Sequence, residues 1–143
     1  MADKEVIVRR LMKLEQAMRK LKEISRHSLA EYSGNEALKD RAERNFQVAA
    51  QACIDVANHI VAARGLRTPE GYGDSFVVLA EEGIIPAELA FKMKAVAGFR
   101  NVLVHDYLEI NVRTVYENLQ KLEDLAEFAE HIGRLLDNPG GIQ

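Results

Sequence analysis

The chain has 143 residues, 48% of them apolar and 29% charged, a balance that excludes a disordered chain and suffices for one domain, assigned to residues 1–143. A formal net charge of −3 excludes broad electrostatic attraction to nucleic acid, so any contact with RNA has to come from a local basic cleft. Cys53 is the single cysteine, which excludes an intrachain disulfide, and its place in an apolar-periodic run predicts a buried, inert thiol.

The start, Met1-Ala2-Asp3-Lys4-Glu5, is charged and lacks the apolar block and small-residue cleavage site of a signal peptide. No segment has the length and apolarity of a membrane span, so a cytoplasmic protein with no membrane partner is expected. Ile7, Leu11, Leu14, Met18 and Leu21 recur at steps of four and three, which predicts a long first helix from near the start to about Ala30. Tyr32-Ser33-Gly34-Asn35 reads as a turn, and Ser33 followed by Glu36 has the form of a capping box opening a second helix. Leu38, Ala42, Phe46, Ala49, Cys53, Val56, Ile60 and Ala63 keep helical spacing up to a C-terminal cap at Gly65. Pro69, Gly71 and Gly73 mark a loop, after which Asp74 or Ser75 is placed to cap a short helix ending near Gly83.

Pro86 suits the first turn of the next helix, which carries Leu89, Phe91, Met93, Val96 and Ala97 toward Arg100. Asn111 is placed to cap a last helix whose inner face is Val115, Leu119, Leu122, Ala126, Phe128, Ala129, Ile132 and Leu136. Residues 138–143, with Pro139, Gly140 and Gly141, are expected to form a flexible tail. Four to five amphipathic helices on short connections bury their stripes best as an all-α antiparallel bundle, and no strand pattern competes.

Arginine, asparagine, histidine, aspartate and tyrosine gather in Arg100-Asn101-Val102-Leu103-Val104-His105-Asp106-Tyr107, near one helix end. A positioned histidine moves protons near neutral pH, and an arginine grips a phosphate oxygen as negative charge builds. RNA cleavage needs both: a ribose 2′-hydroxyl is deprotonated, attacks the adjacent phosphorus in line, and expels a 5′-oxygen that must be protonated. One imidazole cannot easily stand on both sides of the phosphorus, which favours a twofold dimer with His105 and Arg100 from each subunit. By spacing alone, however, Arg100 and His105 fit a solvated pair or a helix-end cap better than a catalytic pair.

Arg100-Asn101 followed by His105 and Tyr107 resembles the Arg-x4-His-x-Tyr motif of HepT-like HEPN toxins. The run from Glu43-Arg44-Asn45-Phe46 through Asp55-Val56-Ala57-Asn58-His59-Ile60, the stretch Gly83-Ile84-Ile85-Pro86, and Met93 through Tyr107 are similar to that family's pattern as well. The resemblance implies a homodimeric HEPN-like bundle and a metal-independent endoribonuclease without a cofactor, encoded beside a minimal nucleotidyltransferase antitoxin. Arg100 and His105 match the catalytic pair, Asn101 the polar residue that follows the arginine, and Tyr107 the tyrosine that the antitoxin modifies with AMP. Asp106 stands with Asn101 as a supporting residue. Lys92, Lys94 and Arg113 are the nearest candidates for contacts to RNA.

His59, inside the apolar stripe of the second helix, is expected to be structural, and His27 and His131 lack partners at a metal-ligating spacing, so no metal site is assigned. The charge runs Arg41 to Arg44 and Glu123 to Glu130 read as solvated helix faces. The competing function is a non-catalytic helical subunit that binds or presents substrate to a nucleotidyltransferase.

Overall fold

The computed structural model describes residues 2–71, 73–105 and 110–138. These form seven helices: α1 (Ala2–Ser25), α2 (Leu29–Ser33), α3 (Glu36–Ala63), α4 (Asp74–Glu81), α5 (Ala87–His105), α6 (Val112–Leu119) and α7 (Glu123–Asp137). The helical bundle expected from periodicity is present, and no strand occurs among the described residues. The expected four to five helices become seven because the first and the last are each broken. The expected tail beyond Asn138 lies outside the described residues, as do Asp106 and Tyr107.

α3 is the central element. Its inner positions are mostly small, with Ala42, Ala49, Ala52, Cys53, Val56 and Ala57 all buried, so α1, α4 and α5 can approach its backbone closely. Larger side chains of α1, Ile7, Leu14, Leu21 and Ile24, fill the space these leave. α1 and α3 run antiparallel, and polar pairs span them in this register: a His59–Asp3 hydrogen bond at 2.7 Å and ion pairs of Arg10 with Asp55 at 3.8 Å and Arg41 with Glu23 at 3.4 Å. His59 is thus engaged at the open end of this helix pair. Cys53 is fully buried, as its apolar setting predicts, and burial holds its thiol well above the usual range.

The first helix stops at Ser25, short of the expected Ala30, because tertiary and local partners take over its C-terminal carbonyls. The Tyr116 hydroxyl donates to the carbonyl of His27 at 2.7 Å, and the Gln120 amide donates to that of Ser25 at 3.3 Å. Ser28 then starts α2 with a complete capping box: its hydroxyl accepts from the Glu31 N–H, and the Glu31 carboxylate accepts from the Ser28 N–H. The box therefore sits at Ser28 and Glu31 rather than at Ser33 and Glu36, and α3 is capped by Asn35, whose side chain accepts from Leu38 N–H. Tyr32, the buried residue of α2, packs at a tilt against Tyr116 with centroids 5.7 Å apart, and its burial pushes its hydroxyl pKa up to about 12.

Residues 64–71 and Gly73 lie outside the helices, in the loop marked by Pro69 and the glycines, and Gly65 follows the α3 cap with φ +63°. Neither Asp74 nor Ser75 is the cap of α4. Gly73 is, with φ +85°, and a Cβ there would meet Lys94 Cγ at 2.8 Å, so both backbone angle and the approach of α5 require glycine. Asp74 instead anchors the loop through Arg67, which donates to Asp74 and Glu81 at 2.8 Å each and so bridges both ends of α4. The last helix breaks at residues 120–122, with Asn111 capping α6 as expected. The break shifts the register, so Leu125 is buried where Ala126 was expected to face inward. Phe128 closes the core edge-on against Phe76 with centroids 5.4 Å apart.

Both rings are fully buried, so Phe128→Ala should lower unfolding free energy by about 3–5 kcal/mol in chemical denaturation; a loss below about 1 kcal/mol would mean that this contact is not central. Arg67 foremost, with the Glu70 N–H, holds the Asp74 pKa at about 2, below 3.8. A lowered folded-state pKa stabilises the fold above the ordinary value, and that contribution is lost as pH falls from about 4 to about 2. Arg67→Ala should therefore lower the denaturation midpoint at neutral pH, with a deficit that narrows as pH approaches 2; a deficit independent of pH would contradict this.

Candidate functional site

α5 carries the residues singled out by the sequence, and its two sides differ. Leu89, Met93 and Ala97 are buried against the neighbouring helices, and Arg100, three residues on, continues that stripe as a half-buried side chain. Arg100 Nε is shielded from solvent, as is Asn101 Oδ1, and neither atom has a hydrogen-bond partner among the described residues. On the other side, Phe91, Ala95, Gly98, Val102 and His105 recur at steps of four and three and are all exposed, Phe91 at 79% and Val102 at 48%. That stripe is apolar or small until it ends on His105.

Arg100 and His105 are separated by about 140° around the helix and about 7.5 Å along it. Within one chain the guanidinium and the imidazole therefore leave α5 in different directions. Arg100 lines a groove of about 230 Å³ whose floor is α3 and whose facing wall is α1. Arg10, Lys13 and Arg44 line it too, and sequence reading missed all three. Their signal was weak: Arg44 lies in a charge run that fits a solvated face, and Arg10 and Lys13 meet it only through the α1–α3 register.

The RNA candidates nearest in sequence are placed elsewhere. Lys92 pairs with Asp124 at 3.8 Å on the rim of an apolar groove of about 300 Å³ floored by Phe46, Phe99 and Leu125. Lys94 packs on Gly73, close enough to Asp74 to help lower its pKa, and Arg113 lines a shallow depression beside Tyr116. The apolar groove includes neither Arg100 nor His105. No group of three His, Cys, Asp or Glu side chains gathers at metal-ligating distance among the described residues. No helix among them is long and apolar enough to cross a membrane.

Chemically, the end of α5 presents a cation at a basic groove and an exposed imidazole on a bare helix face. That combination fits anion recognition and proton transfer on a phosphodiester.

Known proteins carry the same arrangement of helices. The chain is 30% identical over 129 residues to the mRNA nuclease HepT of Shewanella oneidensis, covering 90% of this chain and 96% of that protein. It is 30% identical over 113 residues to the tRNA nuclease HepT of Aphanizomenon flos-aquae, covering 78% of this chain and 76% of the relative. The solved structure of the tri-AMPylated HEPN toxin of S. oneidensis in complex with MNT antitoxin superposes with a TM-score of 0.83 at 30% identity, over 90% of this chain and 97% of that one. With the family described as Ribonuclease HepT-like matching residues 14–132, this chain belongs to the HepT-like ribonucleases.

Proposed function

We propose that the chain is a metal-independent endoribonuclease toxin that acts in the cytoplasm as a homodimer and is silenced by a minimal nucleotidyltransferase antitoxin. The observation that carries this reading is the placement of Arg100 and His105 on the last turns of α5 in a chain of a ribonuclease family. The relatives named as mRNA and tRNA nucleases support the activity, and the toxin solved with MNT antitoxin in an AMPylated state supports the partner and its chemistry.

The exposed stripe of α5 supports the dimer. Phe91 and Val102 are costly to leave in water, and Ala95 and Gly98 between them let a second helix approach closely. A twofold axis at this stripe brings two His105 imidazoles together, and each Arg100 reaches toward them on its long stem from the inner side of its own α5. One imidazole takes the proton of the ribose 2′-hydroxyl as its oxygen attacks phosphorus. The bond to the 5′-oxygen breaks, the other imidazole gives that oxygen a proton, and a 2′,3′-cyclic phosphate remains. Arg100 holds the non-bridging oxygens, whose charge is greatest midway. Asn101 and Asp106 support this cluster. Tyr107, two residues beyond His105, is the site at which the antitoxin adds AMP, and the added phosphate repels and blocks RNA.

Antitoxin-free protein incubated with total RNA and a chelator should cut it, with His105→Ala and Arg100→Ala each slower by about 100-fold or more. Cleavage at the parent rate by both variants would remove the assignment. Coexpression with the neighbouring nucleotidyltransferase should raise the intact mass by whole AMP units, and Tyr107→Phe should abolish the gain; an undiminished gain would place the modification elsewhere.

A further inference from the structure

The groove beside Arg100 concentrates positive charge in a chain whose net charge is −3. Arg10 and Lys13 project from α1, one turn apart. α3 presents Arg44, Gln47, Gln51 and Asp55 along a single stripe, and Arg100 closes the far side from α5. Four cations thus face one carboxylate, and that carboxylate is occupied: Asp55 accepts from the Gln51 amide at 2.8 Å and pairs with Arg10 at 3.8 Å. Several cations elsewhere are matched by acids, Arg41 by Glu23, Arg67 by Asp74 and Glu81, Arg134 by Glu130 and Lys39 by Glu36. Lys13 and Arg44 have no carboxylate within ion-pair distance among the described residues.

We propose that this groove is a substrate subsite, seating an RNA phosphate next to the scissile one through Arg10, Lys13 and Arg44. The identity of the ligand rests on the ribonuclease reading above. Gln51 orients Asp55 by a hydrogen bond, and Asp55 draws Arg10 toward the α3 wall at 3.8 Å. Arg44 and Lys13 supply the unmatched charge. Gln47 offers a carboxamide, donor and acceptor together, to a ribose hydroxyl or base edge. The volume, about 230 Å³, lies below the roughly 300–1,000 Å³ of sites for drug-sized ligands and suits a phosphate with its sugar. A short concave site of this kind fits a phosphodiester better than an acidic protein surface, whose docking would need about 800 Å² of contact on each partner. The subsite lies on the Arg100 side of α5, and Arg100, which lines it, joins it to the proposed cleavage site at the helix end.

Binding is measured in a His105→Ala background, using the full-length homodimer, a fluorescent single-stranded RNA and anisotropy from about 50 to about 200 mM salt. Lys13→Ala with Arg44→Ala should weaken affinity by about tenfold or more and reduce the slope of log affinity against log salt by about 1.4, two phosphate contacts at about 0.7 each. Lys121→Ala with Arg134→Ala removes the same charge outside the groove and should change affinity less than about twofold. Both residues of the groove pair are exposed, and circular dichroism melts of the two doubles verify the fold. Equal behaviour of the two doubles overturns the proposal, as does unmeasurable binding of RNA by the His105→Ala parent. Intact RNA binding with lost capture by the antitoxin also overturns it, making the groove a protein surface. Failure of the catalytic assignment registers separately, in the cleavage rates of His105→Ala and Arg100→Ala.

Discussion

A helix turns about 100° per residue, so Arg100 and His105, five residues apart, leave α5 about 140° apart. The structure is arranged around this constraint. Leu89, Met93 and Ala97 bury one side of α5 against the bundle and carry Arg100 to its inner edge. Phe91, Ala95, Gly98 and Val102 leave the opposite side bare and carry His105 outward. On the proposed reading a second copy completes what one chain divides, and the bare stripe is the surface on which it docks.

The position of the basic groove depends on a different element, the α1–α3 pair. The small side chains of α3 allow α1 to lie close, its buried Ile7, Leu14, Leu21 and Ile24 seat it there, and His59 with Asp3, Arg10 with Asp55 and Arg41 with Glu23 meet in that register. Surface ion pairs contribute little to stability singly, so the buried packing, more than these pairs, holds the alignment. A shift of one turn would carry Arg10 and Lys13 about 5.4 Å away from Arg44. Arg67 fixes α4 to its loop, and Gly73 gives α5 room to pass.

Much of this was legible before any coordinates. The four-and-three spacing marked the long helices, Asn111 marked the start of α6, Gly65 marked the end of α3, and Cys53 proved as buried as its neighbours suggested. Breaks imposed from a distance were not legible. Nothing between Ser25 and Ala30 shows that Tyr116 and Gln120 will take the carbonyls there, and residues 120–122 contain neither glycine nor proline to announce the register change that buries Leu125.

The site divided along the same line. Arg100 and His105 could be named because they are close in sequence and match a family motif, whereas Arg10, Lys13 and Arg44 come together only through packing. Local charge density is a poor guide when opposite charges in space decide which cations are matched. Lys92, near the motif, is paired with Asp124, while Arg44, far from it, lines the groove with Arg100. The most direct test of the divided site is the sedimentation and RNA cleavage of Val102→Asp, which places a charge in the bare stripe without touching Arg100 or His105. The account predicts a folded monomer that no longer cuts RNA; a folded monomer cutting at the parent rate would contradict it.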